Sequence, residues 1–139
     1  MYLDTSILVK LYVAEPDSVA CSEKVSGVPL ASSELAYAEM WAALLAKEKA
    51  KHISAAVRER AWEAFLGDIR EDALTLFPLN FATLSDATEV MLEVHPHVPL
   101  RTLDAVHLAT FRGVDAGPLF TGDKRMQAAA RFLEFPLVG

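Results

Sequence analysis

Short apolar runs alternate along this chain with longer stretches whose apolar residues recur every three or four positions. Residues 1–3, 28–31, 73–79 and 119–121 are the short runs and read as strands, with residues 136–138 as a last edge strand. Between them, residues 5–13 carry Ile7, Leu8, Leu11 and Tyr12 at helical spacing, and a second helix opens at Pro16-Asp17-Ser18 and stops at Gly27. Ser32 and Ser33 are capping candidates for a long alanine-rich helix over 34–50, and Ser54 caps another that runs to about residue 69. Residues 80–83 read as a turn and 84–94 as helix. The prolines of His95-Pro96-His97-Val98-Pro99 then break the chain before helices over 101–112 and 124–133.

Repeated strand, helix, strand order predicts a three-layer α/β/α sandwich with a mostly parallel central sheet. No linker, repeat or low-complexity tract interrupts it, so residues 1–139 are expected to form a single domain. In such folds ligands gather beyond the carboxyl ends of the strands. The residues just after each apolar run are therefore the first place to look for a site.

Four acids stand out there. Asp4 and Asp123 end short apolar runs where a strand hands over to a helix, while Glu39 and Asp104 interrupt helical faces that are otherwise apolar or small. Four carboxylates converging in one cleft repel each other unless a cation holds them, and hard oxygen ligands point to Mg²⁺ or Mn²⁺ with hydrolytic chemistry. Each acid has a plainer role beside this one. Asp4 before Thr5-Ser6, and Asp123 after Thr121-Gly122, are good helix N-caps. Glu39 can be a flank charge paired with Lys47 or a neighbouring helix, and Asp104 an early-turn acid partnered by Arg101. Zinc is not indicated, because His95, His97 and His107 come with neither a cysteine set nor a two-histidine helix motif.

Composition narrows the setting. Hydrophobic residues make up 53% of the chain, which excludes disorder. The single cysteine, Cys21, precludes an internal disulfide and suits a reducing cytoplasm. Asp4 precedes the apolar stretch 7–14 and Pro16 closes it, so neither a signal peptide nor a membrane-spanning helix is expected. Thirteen basic against nineteen acidic residues leave a net charge of -6, unfavourable to a phosphate backbone without a local patch.

Taken in order, Tyr2-Leu3-Asp4-Thr5-Ser6, Ser33-Glu34-Leu35-Ala36-Tyr37-Ala38-Glu39, Leu103-Asp104-Ala105-Val106-His107-Leu108-Ala109 and Phe120-Thr121-Gly122-Asp123-Lys124-Arg125 resemble the PIN domain, specifically the VapC-type ribonuclease toxins. The resemblance covers nearly the whole chain. It implies that Asp4, Glu39, Asp104 and Asp123 are catalytic and hold one or two Mg²⁺ or Mn²⁺ ions, with Ser6 and Thr121 as hydroxyl helpers. It further implies metal-dependent endonucleolytic cleavage of RNA, a homodimer, and a cognate VapB-type antitoxin whose tail presents a basic side chain to the acids. One departure is that Met40-Trp41-Ala42-Ala43 comes after the helix glutamate where such proteins often carry a basic residue.

Lys10, Arg101, Lys124 and Arg125 lie near the motif acids and are the candidates for phosphate contacts; Lys47, Lys49 and Lys51 read as a solvated helix end. Tyr12, Tyr37, Trp41, Trp62 and Phe65 fit core or dimer packing better than base stacking. Three other functions compete. One is a catalytically inactive PIN-like module that binds RNA or protein, and another is a housekeeping RNA-processing nuclease without an antitoxin. The third is a phosphatase or receiver domain, disfavoured because Ser6 stands where a second aspartate is needed and no early acidic pair is present.

Overall fold

The computed structural model describes residues 1–139. Its elements run β1 (Tyr2–Leu3), α1 (Thr5–Tyr12), α2 (Ser18–Val25), β2 (Leu30–Ser33), α3 (Leu35–Lys49), α4 (Ala55–Arg70), β3 (Leu74–Phe77), α5 (Phe81–Val94), α6 (Thr102–Arg112), β4 (Leu119–Phe120) and α7 (Lys124–Phe132). The four strands form one parallel sheet in the order β3-β2-β1-β4. A three-layer α/β/α sandwich results, as the alternation of elements predicts.

The two-residue period of β1 divides the core. Tyr2 faces a cluster with Val90, Ala105, Leu108 and Met126 from α5, α6 and α7. Leu3 faces the opposite one, with Leu8, Met40, Leu44 and Phe65 from α1, α3 and α4. Tyr12, Tyr37, Trp41, Trp62 and Phe65 make edge and tilted ring contacts at centroid separations of 4.8 to 6.2 Å, so these aromatics pack the α3–α4 side. No helix is long and apolar enough to cross a membrane.

Several boundaries shift from the sequence reading, and three of the shifts have a clear local reason. β2 lies over Leu30–Ser33 rather than 28–31, because Ala31 registers with Tyr2 and the buried Ser32 hydroxyl donates to the Leu3 carbonyl at 2.7 Å. A strand can therefore end in serines once their hydroxyls are satisfied. The expected turn over 80–83 is the first turn of α5: the Asn80 side-chain oxygen accepts from the Thr83 amide at 3.0 Å and starts the helix at Phe81. The last edge strand reduces to a single parallel bridge, Leu119 to Leu137.

Arg112, at the end of α6, clamps α5 through Asp86 and Glu93, with Nη1 to Glu93 Oε1 at 2.6 Å and Nε to Asp86 Oδ2 at 3.1 Å. The partners are partly exposed, so solvent screening limits the gain. Arg112→Ala is expected to lower stability by about 1 kcal/mol in urea unfolding, and Arg112→Lys to recover only part of that because it lacks the guanidinium fork.

Candidate functional site

Asp4 is held at the carboxyl end of β1 and caps α1. Its Oδ1 accepts from the Ile7 amide at 3.1 Å and the Ser6 hydroxyl at 2.7 Å, and its Oδ2 accepts from the Thr121 hydroxyl at 2.6 Å. Only 3% of the residue is exposed. Burial pushes the Asp4 carboxyl above its ordinary value, and the bonds from Thr121 and Ser6 only partly offset that. Ser6 Oγ also accepts from the Gly122 amide at 3.2 Å, and Thr121 Oγ1 from the Asp123 amide at 3.0 Å. A side chain at Gly122 would crowd Ser6, since its Cβ would lie 3.3 Å from Oγ. Both hydroxyls therefore stitch β1 to the turn after β4.

Asp123 caps α7, with Oδ1 accepting from the Arg125 and Met126 amides at 2.8 and 2.9 Å. Its other oxygen takes Arg101 Nη2 at 2.9 Å, while Arg101 Nε donates to Asp104 Oδ2 at 3.0 Å. One guanidinium thus bridges the acids of α6 and α7. Glu39, in the second turn of α3, lies among donors of a different kind: the Thr5 hydroxyl at 2.8 Å and His107 Nε2 at 2.6 Å. Glu39, Arg101, Thr102, Leu103 and Asp104 line a cavity of about 280 Å³.

Beneath Glu39 the network continues inward, with the Tyr2 hydroxyl 3.0 Å from His107 Nδ1. Burial pushes the Tyr2 phenol far up, so it keeps its proton. His107 Nε2, at the far side of the same ring, faces Glu39 Oε1. Burial by itself raises Glu39, but the bond and charge of His107 and the Thr5 hydroxyl outweigh it and hold the carboxyl below its ordinary value. Tyr2, Thr5 and His107 are the members of this site that the sequence reading does not select. Their signal is the i, i+3 spacing of Asp104 and His107, which places an imidazole one turn further into the core.

Residues 1–132 match the PIN domain family. The chain belongs to that family. This PIN domain protein is also 39% identical, over 141 aligned residues, to Ribonuclease VapC46 of Mycobacterium tuberculosis (strain ATCC 25618 / H37Rv), covering 99% of this chain and 95% of that protein. The motif order thus identifies the family correctly.

The expected Mg²⁺ or Mn²⁺ centre is not formed. No group of three or more His, Cys, Asp or Glu side chains is placed so that it could hold a metal ion. The physical reason lies in the bonds just described. Repulsion among the four acids, which the sequence reading answers with a cation, is answered by hydroxyls and an amide at Asp4, by Thr5 and His107 at Glu39, and by Arg101 between Asp104 and Asp123. The four-carboxylate, metal-dependent ribonuclease and hydrolase expectation falls with the ion that was to activate water. The basic residues are committed as well: Arg101 to Asp104 and Asp123, and Lys10 to Asp17. Of the proposed phosphate contacts near the cleft, Lys124 and Arg125 remain exposed at the start of α7.

Proposed function

We propose that this protein is a cytoplasmic PIN-family binding module of the toxin–antitoxin kind, without catalysis of its own, whose acidic cleft between α3, α6 and α7 receives an arginine-bearing segment of a small partner protein. One observation carries the reading: Arg101 bridges Asp104 and Asp123 with two charge-assisted hydrogen bonds, the geometry that a partner's guanidinium would copy after displacing it. Arg101 is well exposed and held only at its tip, so it can swing away without disturbing the core. The VapC-type relationship supports a protein partner, because a toxin of that kind works against an antitoxin. A net charge of -6 and a cleft lined by Glu39 and Asp104 disfavour RNA.

The test is calorimetric titration with the protein encoded by the adjacent reading frame, together with incubation of labelled RNAs. A defined complex is expected, weakened at least about tenfold by the double change Asp104→Asn with Asp123→Asn, since each lost charge-assisted bond is worth of order 1 kcal/mol. The RNAs should stay intact. A complex indifferent to both substitutions, or RNA cut by the purified protein, would overturn the proposal.

A further inference from the structure

The two edges of the sheet are treated differently. Next to β4 the chain covers its own edge, with Leu137 bridging to Leu119 and the Val138 amide donating to the Leu119 carbonyl at 2.9 Å. At the other edge, β3 has β2 on one side and no strand on its outer side. The Glu34 amide donates to the Phe77 carbonyl at 2.8 Å, which fixes the alternation of this parallel ladder. Thr75 and Phe77 turn their backbone groups to β2, and Leu74 and Leu76 turn theirs outward. Neither the amide nor the carbonyl of Leu74 or Leu76 bonds to any loop or side chain. From Ala73 to Phe77 the strand also lacks the charges and prolines that normally blunt an edge.

A groove lies on each face of this edge. The largest cavity of the molecule, about 570 Å³, is lined by Leu74 and Leu76 with Tyr37, Ile69, Glu34 and Asp72. The groove on the opposite face, about 290 Å³, lies around Phe77, Leu30 and Asp115. Side chains of an added strand point alternately to the two faces, so one extended segment would fill both grooves. No lysine or arginine lines either groove, and the Met1 ammonium beside the second donates to the Pro29 carbonyl at 2.8 Å. Neither Glu34 nor Asp72 is in an ion pair, and Asp115 on the other face is likewise exposed and unpaired.

We infer that the β3 edge is a docking surface for an extended basic segment of another protein, which adds a strand beside Leu74–Phe77 and sets lysine or arginine side chains against Glu34, Asp72 and Asp115. This surface is separate from the Asp104–Asp123 cleft and stands without the function proposed there.

The probe is an acetylated, amidated peptide of alternating lysine and valine, compared with a glutamate and valine version and with a lysine and valine version N-methylated at alternate residues. Binding is monitored by NMR and amide exchange on the whole protein. The lysine peptide should bind and slow exchange of the Leu74 and Leu76 amides at least about tenfold, while the glutamate and N-methylated peptides should not. Asp115→Lys and Asp72→Asn should each weaken binding in a protein whose amide spectrum is otherwise unchanged. Leu76→Pro, which edge strands tolerate, should abolish it. Undiminished binding of the N-methylated peptide would overturn the inference, as would shifts confined to Glu39, Asp104 and Asp123. So would protection of Leu74 and Leu76 in the free protein with a dimeric sedimentation coefficient, which would make a second copy the occupant. Binding of an RNA oligomer at this edge in place of the lysine peptide would equally overturn it.

Discussion

Asp4→Ala is expected to remove about 3 kcal/mol of folding stability, with Asp4→Asn costing about 1 kcal/mol, as measured by urea unfolding at neutral pH. Alanine leaves the Thr121 hydroxyl, the Ser6 hydroxyl and the Ile7 amide without their acceptor in a place closed to water, and removes the N-cap of α1. Three connections fail together, because Asp4 joins β1, α1 and the turn after β4. Asparagine keeps one acceptor oxygen and the volume. It also removes a charge that the site does not fully stabilise.

The pH dependence separates those two parts. Because the folded-state pKa of Asp4 is raised above the ordinary 3.8, its contribution is fully present below that value and is lost as pH rises through the folded pKa. Stability lost by the wild type over that climb should be absent in Asp4→Asn. An identical pH slope in the two proteins would show that the Asp4 charge carries no such cost.

The fold was legible because it depends on periodicity, and periodicity survives small errors of boundary. Tyr2 and Leu3 already divide the sheet faces, and the helical spacing of Ile7, Leu8 and Leu11 already gives α1 a buried side. What escaped was decided by single hydrogen bonds: Ser32 to the Leu3 carbonyl, which extends β2, and Asn80 to the Thr83 amide, which turns an expected loop into the first turn of α5. The first depends on which backbone comes near across 29 positions, which no window of sequence contains; the second is a local N-cap at i, i+3, masked because Asn80 also suits a turn.

The site shows the same limit more sharply. The four acids were visible as charges in unusual places, and the capping roles considered for Asp4 and Asp123 are the ones they take. Arg101 as partner of Asp104 was also within reach at i, i+3. Its second bond, to Asp123 twenty-two positions away, was not. Nor was the pairing of Glu39 with His107, 68 positions apart, where the sequence reading offered Lys47, which instead pairs with Glu15. Counting carboxylates suggested an ion; counting the donors that reach each of them removes the need for one.

His107→Ala should have a comparably large effect, about 3 kcal/mol, by opening a cavity against the sheet and leaving both the Tyr2 hydroxyl and Glu39 without their partner. His107→Gln, which can still donate to Glu39, should recover part of the loss. The informative reading is again the pH profile, with the opposite sign from Asp4. The folded-state pKa of Glu39 lies below the ordinary 4.5, so its contribution is present above that value and is lost as pH falls through the folded pKa. Removing the imidazole removes both the bond and the charge that depress it, leaving burial, which acts the other way. The acid limb of the stability curve should therefore flatten or reverse in His107→Ala, whereas Thr5→Val, which deletes only the weaker hydroxyl contribution, should keep most of it. An acid limb unchanged in His107→Ala would mean that Glu39 is held by something other than the histidine, and the buried Tyr2–His107–Glu39 chain would lose its role in setting the charge of the cleft.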